Sequence, residues 1–393
     1  MISVDQAKNI LIENIQNSKT EVLGLLKSLG HVLSVDIRSE INVPSFDNSA
    51  MDGYCFQFVE GQSTYKIQSQ IQAGDTDLDD ILPGNCARIY TGAMMPKGAD
   101  TVVQQELVSV NDGVISFDID KLEKGLNVRL EGAQNKIGEV IVSRGTKITP
   151  SVIGLLASIG IPQVQVFKKP SVGIVITGNE LIEVGEFLEK GKIYNSNEYA
   201  LCALLQSIGI EQIECFKASD SLESVIDALN HARAKNDFVL VTGGISVGDF
   251  DFVNRAMSII GVKELFYKVR QKPGKPLWVG KIQDQWFFAL PGNPAAVITC
   301  FNQYVKPTIL NLSGHSNSFE PLAQLPLQNS VSKKAGLTHF LKGYYTMDSV
   351  RILKSQESFN MKSFNAANCI VEIPENAEQL SENTLVYVYP LPN

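Results

Sequence analysis

Residues 237–253 read DFVLVTGGISVGDFDFV, residues 272–276 read KPGKP, and residues 287–294 read FFALPGNP. The apolar run 238–241 stops at Thr242-Gly243-Gly244, the pattern of a buried parallel strand that ends in a tight turn before a helix. Glycine lets backbone N–H groups approach a ligand, and the start of the following helix favours an anion. Asp249 and Asp251 come next, as candidate metal ligands or proton handlers. Lys272 and Lys275 stand in a short segment stiffened by Pro273 and Pro276. A second apolar strand, 286–290, ends in Pro291-Gly292-Asn293-Pro294, where a new helix is expected to begin. Two glycine-rich strand ends and a rigid lysine pair describe a pocket for a phosphate-bearing molecule. The plainer reading, ordinary αβ turns with exposed lysines, has to account for all three pieces falling in one segment.

The rest of the chain sets bounds on that pocket. At 393 residues it is long enough for two or more domains. A hydrophobic content of 44% and a charged content of 19% describe an ordinary soluble globular protein. No apolar run reaches the roughly 18 residues of a membrane span; the nearest, 152–161, is interrupted by Gly154 and Gly160. The N-terminus MISVDQAKNI carries no basic region followed by an apolar one, so no signal peptide is expected. A net charge of −8 disfavours non-specific nucleic-acid binding, and an anionic substrate then needs locally focused lysines such as those at 272–275. The six cysteines form no CxxC pair and are expected to be buried free thiols in a reducing cytoplasm. His31, His231, His315 and His339 are scattered, without an HExxH.

Periodicity divides the chain. Residues 4–30 are expected to be helical, with Val4, Ala7, Ile10 and Leu11 on one face and a further apolar patch at 22–29. Residues 31–132 read as a mainly β module with long loops, and 133–169 return to strand and helix signals before Lys168-Lys169-Pro170. From 171 the pattern is α/β. A buried strand at 172–176 ends in Thr177-Gly178-Asn179-Glu180. Helices are expected at 197–209 and at 221–234, the latter with Asp220 as N-cap. Such alternation predicts a parallel sheet with ligands at the strand carboxyl ends. After Gly314, strands at 337–346, 350–354, 370–373 and 385–389 predict a separate C-terminal β domain.

Taken together, these motifs make the chain resemble the molybdopterin molybdenumtransferase family, the MoeA proteins and the E domain of gephyrin-like proteins. The resemblance is carried by PSFDNSAMDGYC (44–55), RIYTGAMMPKGADTVVQQE (88–106), NVRLEG (127–132), SVGIVITGNEL (171–181), YNSNEY (194–199), VTGGISVGDFDFV (241–253), KPGKP (272–276), LPGNP (290–294) and AAN (366–368). These follow the family's order over essentially the whole chain. The resemblance implies an α/β multidomain fold in four parts. These are a discontinuous N-terminal domain (1–40 and 132–169), a β-rich inserted domain (41–131), a molybdopterin-binding α/β domain with a parallel-type sheet (170–315), and a C-terminal β barrel (316–393). It further implies a cytoplasmic homodimer whose clefts combine the third domain of one chain with the second of the other. The expected substrates are adenylylated molybdopterin and molybdate, the products AMP and molybdenum cofactor, and the metal Mg2+. Molybdopterin adenylyltransferase and molybdoenzymes are the expected partners, with no nucleic acid and no membrane.

Several anionic groups converge in such a reaction, and Lys272 and Lys275 supply point charges for them. Asp251 is expected to ligate Mg2+ or position water, or else to cap the helix that follows; Asp220 is either a second metal ligand or a cap. Glu180 suits a cap or a ligand in the first turn after its glycine. Asp52 in Met-Asp-Gly-Tyr is a plain turn residue on its own, and only the longer motif makes it a site residue. Thr91, Ser246, Gly243 and Gly244 offer hydroxyl or N–H groups to an oxyanion, and Pro291, Gly292 and Asn293 form the second strand end. By the resemblance, Lys342 and Ser358 match an arginine and a serine near the molybdate, while Asn195 and Ser196 are expected to be structural. Three departures from the family pattern stand out. Ala133 and Gln134 replace an acidic pair, Asn179 replaces an aspartate, and Lys342 lacks the bidentate fork of arginine.

Two other functions are set beside this one. A gephyrin-like scaffold is expected to carry a further N-terminal domain and linker, and this chain begins at its first helix. A molybdopterin adenylyltransferase would need the α/β domain without 41–132 and 316–393. A nicotinamide dehydrogenase is disfavoured, because no GxGxxG follows a strand with an acidic residue about 20 positions later.

Overall fold

The structure, a computed structural model, describes residues 1–15, 19–245 and 252–392. The chain forms two units, residues 35–163 and residues 1–34 with 164–393.

Helix α1 (Val4–Asn14) starts at a capping box in which the Ser3 side chain accepts from Gln6 N and the Gln6 side chain accepts from Ser3 N. Its Val4, Ala7 and Leu11 are buried, as the spacing predicts, and Ile10 packs against the same core. The expected continuation of this helix to residue 30 is corrected. Thr20–Gly24 is a strand and Leu25–Ser28 a single 3-10 turn. β-Branched Thr20 and Val22 suit extended chain, and Val22, Leu26 and Leu29 are exposed, so no buried face forms there.

The unit 35–163 is built on a six-stranded sheet, matching the expected β module. Its strands are β1 (Gly53–Phe56), β2 (Thr64–Ile71), β3 (Asn85–Ile89), β4 (Thr101–Gln104), β5 (Ser109–Asn111) and β6 (Val114–Ser116), in the order β4-β1-β3-β2-β6-β5. Gly53 is required by the close approach of β4: a Cβ there would lie 1.9 Å from Val103 O. Helix α2 (Pro150–Ser158) begins at Thr149, whose hydroxyl accepts from Val152 N.

In the other unit the α/β pattern runs β7 (Val172–Thr177), α3 (Ser196–Ser207), β8 (Ile213–Ala218), α4 (Leu222–Lys235), β9 (Phe238–Thr242), α5 (Phe252–Ile259), β10 (Lys263–Tyr267), β11 (Gln271–Lys272), β12 (Trp278–Ile282), β13 (Gln285–Leu290) and α6 (Pro294–Cys300). The sheet order is β8-β7-β9-β13-β12-β10. Strands β8, β7, β9 and β13 are parallel, whereas β12 runs antiparallel to both of its neighbours, β13 and β10, so the sheet is mixed at one edge. The cause is a tight hairpin between β12 and β13 in which Gln283 takes a positive φ of 52°. Helices cover both faces. Val172, Ile174 and Ile176 pack with Leu201 and Leu205 on one side, and Val175, Val239 and Val241 pack with Val225, Leu229 and Val253 on the other. That double burial explains why β7 and β9 read as unbroken apolar runs.

The C-terminal strands are β14 (Ala323–Pro326), β15 (Thr338–Tyr345), β16 (Cys369–Ile373) and β17 (Leu385–Pro390). With β11 they form a sheet in the order β11-β15-β16-β17-β14, and Val350–Ile352 pairs with β15. Strand β11 therefore carries the lysine segment out of the α/β region into the last sheet. Among the described residues, no helix is long and apolar enough to cross a membrane.

Candidate functional site

The carboxyl ends of β7, β9 and β13 lie side by side. Gly243 and Gly244 have φ of 89° and 64°. A Cβ on Gly243 would stand 2.5 Å from Thr177 O, and one on Gly244 would stand 2.7 Å from Val253 Cγ2. Only glycine fits both the dihedrals and the space. Gly292 lies against Gly243, whose Cα is 3.7 Å from where a Cβ of Gly292 would be. Asn197, in the first turn of α3, ties these ends together by donating from Nδ2 to Thr242 Oγ1 (3.0 Å) and to Gly292 O (2.8 Å). By sequence alone Asn197 reads only as the start of a helix. Its neighbour Asn195 is structural as expected: it is the N-cap of α3, and its Oδ1 accepts from Glu198 N. Ser246, Asp249 and Asp251 lie outside the described residues.

Two expectations about the flanking acids are corrected. Asp220 does not cap α4; Ser221 does, accepting from Ser224 N. The Asp220 carboxylate instead accepts from Asn179 N at 2.9 Å, and Asn179 Oδ1 accepts from Asp220 N at 3.3 Å. This reciprocal pair joins the ends of β7 and β8. Glu180 opens no helix: it is followed by the two-residue strand Leu181–Ile182, paired with Ile193–Tyr194, and α3 starts only at Ser196.

The lysine segment is fixed from beneath. Gln271 is fully buried, and its Nε2 donates to Pro273 O (3.2 Å) and Gly274 O (3.1 Å). Its Oε1 accepts from the buried Tyr304 hydroxyl. Gly274, with φ of 86°, packs so closely that a Cβ would lie 2.5 Å from Cys300 Sγ. Burial pushes the Cys300 thiol up to about 12, so it serves here as packing and as a weak partner of Gln271. Lys272 and Lys275 are exposed above this base, and neither ammonium has a hydrogen bond or ion pair among the described residues. The prolines signalled rigidity in the sequence. Gln271 and Tyr304, 33 positions apart, gave no such signal.

Both lysines line a cleft of about 730 Å3 with Pro291, Asn293, His339 and the wall 356–359. Asn293 caps α6 by accepting from Ala295 N, and its Nδ2 donates to Ser358 Oγ at 3.3 Å, so it links the β13 end to that wall. Gln356 anchors the wall: its amide accepts from Lys342 N and donates to Lys342 O, both at 2.9 Å. Lys342 itself is buried on the face of β15 opposite His339 and Leu341. Its Nζ donates to Ser363 Oγ (2.6 Å), Glu357 O and Asn360 O (both 3.3 Å). Burial lowers its ammonium below the usual lysine value, the Glu357 carboxylate opposing this. The cleft thus collects Lys272, Lys275, Pro291, Asn293 and Ser358, while Lys342 is spent on holding the segment that forms the wall.

The unit 35–163 presents its own cluster. The Asp52 carboxylate accepts from Thr91 N (2.8 Å) and Thr91 Oγ1 (2.9 Å), which holds it below the usual carboxylate range, with a smaller contribution from Arg88. Arg88 lies over the rings of Tyr54 and Tyr90 at 5.0 and 5.1 Å, and donates to Gly53 O and Gln105 Oε1. Asp52 and Thr91, expected as separate site residues, therefore form one exposed pair. Gln134 donates its backbone N–H to Val43 O. Among the described residues, no group of three or more His, Cys, Asp or Glu side chains is placed to hold a metal ion.

Residues 2–160 match the MoeA N-terminal region (domain I and II), 173–311 a probable molybdopterin binding domain, and 324–391 the MoeA C-terminal region (domain IV). The chain is 33% identical to a molybdopterin molybdenumtransferase of Haemophilus influenzae, over 99% of this chain and 98% of that one. It is also 33% identical to one from Staphylococcus aureus, over 95% and 91%. The crystal structure of the molybdopterin biosynthesis MoeA protein from Pyrococcus horikoshii superposes with a TM-score of 0.86 at 29% identity, covering 100% of both chains. In sequence along its whole length and in fold, the chain belongs to the MoeA family.

Proposed function

We propose that this chain is a molybdopterin molybdenumtransferase that inserts molybdenum into adenylylated molybdopterin, using molybdate and releasing AMP. The observation that carries the reading is the cleft beside the parallel strand ends. It holds two lysine ammoniums without partners among the described residues, on a backbone fixed by Gln271 and Gly274. Cationic groups preorganised in this way stabilise developing negative charge on phosphate and molybdate oxygens. The N–H groups at Gly243, Gly244 and Gly292 and the Asn293–Ser358 pair offer further donors. Ser246 and Asp251 belong to the same reading through the sequence alone. Lys342 acts through the wall it holds.

Mg2+ is held in such sites by one or two carboxylates together with substrate phosphates. Asp220 fits that demand, since one of its carboxylate oxygens is occupied by Asn179 N while the other has no hydrogen bond among the described residues. Asp251 would supply the second carboxylate, and the ion would neutralise phosphate charge. The same proposal includes a cytoplasmic location, the four-part division 1–40 with 132–169, 41–131, 170–315 and 316–393, and an adenylyltransferase that delivers the substrate. It also includes a homodimer in which Asp52 and Thr91 serve the partner's cleft. Mixing Asp52→Ala with Asp251→Ala chains should then restore activity; a mixture that exchanges subunits and stays inactive removes the shared cleft.

The deciding assay supplies purified chain with adenylylated molybdopterin and molybdate. AMP release with molybdenum retained on the pterin is expected. Consumption of ATP with free molybdopterin would point to an adenylyltransferase instead, and neither reaction would overturn the reading.

A further inference from the structure

His339 lines the same cleft as Lys272 and Lys275. Along β15, Thr338, Phe340 and Lys342 are buried on one face, and His339 and Leu341 are half-buried on the other. Across the parallel pair β11–β15, His339 stands in register with Lys272, so the two side chains leave the sheet on the same side. The imidazole makes no hydrogen bond among the described residues, although the backbone that carries it is fixed on both edges. We propose that His339 is a further substrate-binding residue of this cleft, donating from a protonated imidazole to the tetrahedral oxyanion that Lys272 and Lys275 hold. The inference rests on the reading that this cleft takes molybdate.

The charges around the ring set the behaviour. Burial, then Lys333, then Lys272 hold the imidazole below its usual value, so it is neutral near pH 7 before an anion arrives. Lys333, in the segment before β15, has its ammonium on Leu337 O and Glu375 O. Glu375, beyond β16, is paired with Arg270 at 2.8 Å. Lys275 stands above the loop and Glu357 in the opposite wall. A dianion placed against the two lysines offsets their charge and offers the ring an acceptor. The imidazole then takes one proton from solvent and becomes a charged donor, so binding of the dianion consumes one proton. Molybdate remains a dianion through this range, and the imidazole is the cleft group whose ordinary titration range spans neutrality.

The test is calorimetric titration of the purified chain with sodium molybdate at about pH 6 and about pH 8, in buffers of different ionisation enthalpy. Wild type is expected to bind about tenfold more tightly at the lower pH and to take up a proton. His339→Gln should bind weakly at both, with less than about a twofold difference between them. His339→Lys, which carries a fixed charge, should restore tight binding and make it independent of pH; a merely structural role predicts no such rescue. If wild type binds with proton uptake and His339→Gln keeps the same affinity and the same uptake, the histidine assignment is wrong while the cleft reading stands. If wild type binds no molybdate at all, the cleft reading falls and the inference with it.

Discussion

The lysine cleft and the Asp52 cluster solve opposite problems. In the cleft, backbone and amide groups beneath the surface are satisfied, and the charges above them have no partners among the described residues. In the unit 35–163, the charged group is itself satisfied: both donors of Thr91 point at Asp52, at a fully exposed position. The difference teaches how to read such residues. An unpaired cation on an over-determined loop has little to lose in stability and much to gain from an anionic ligand. A carboxylate with its own donors is already fixed in its ionised form, and any ligand must compete with or complement that pair.

The sharpest way to break this contrast is Lys275→Ala. Turnover should fall by about 100- to 1,000-fold, while the unfolding free energy from urea titration should stay within about 0.5 kcal/mol of wild type. Wild-type turnover would remove Lys275 from the site, and a large loss of stability would show that the ammonium has a structural partner. Next in size is the base of the loop. Tyr304→Phe leaves Gln271 Oε1 buried without its donor and should cost about 1–3 kcal/mol by denaturant titration. Turnover should fall with it, because Gln271 then loses the orientation that holds Pro273 O and Gly274 O. If stability drops and turnover at saturating substrate is unchanged, rigidity from beneath is not what the lysines require.

Gln134→Asp tests the other unit. The neutral amide cannot act as a charged metal ligand, and among the described residues Gln134 is held by a backbone bond to Val43. The expected outcome is a stability change within about 1 kcal/mol and an unaltered Mg2+ titration of turnover. A several-fold drop in half-saturating Mg2+ would make position 134 part of the metal chemistry.

The smallest effect concerns Asp52→Asn. Thr91 lowers the folded-state carboxyl below its ordinary value of 3.8, so the folded state favours the ionised form. That contribution is present above the ordinary value and is lost as pH falls through the lower folded-state value. The small thermal-midpoint gap between wild type and Asp52→Asn should therefore shrink on acidification below about pH 3.8, and stay constant through neutrality. A gap that widens on acidification would mean that the Thr91 donors do not act on this carboxylate.

The linear pattern of residues determined a great deal here. Unbroken apolar runs at 172–176 and 238–241 announced strands buried on both faces, and the structure covers both faces with helices. Glycines after those strands announced turns that no other residue can make, and φ values of 89° and 64° at Gly243 and Gly244 meet that demand. The Lys-Pro-Gly-Lys-Pro segment announced a rigid cationic loop, and the full set of motifs announced the family. These are local signals, set by period, dihedral preference and residue type. Tertiary structure decided the rest, because it turned on partners distant in sequence. Asn197 reaches Gly292 across 95 positions, Gln271 reaches Tyr304 across 33, and Asp220 pairs with Asn179 across 41 instead of capping its own helix. The helix drawn to residue 30 failed where extended backbone suited Thr20 and Val22 better. Lys342 and His339 lie three positions apart on one strand, and only the pleat of β15 in its sheet sends one into the packed wall and the other into the cleft. Sequence supplies the chemistry of a side chain; the far partner that satisfies it, or the absence of one among its neighbours, follows from where the folded backbone delivers it.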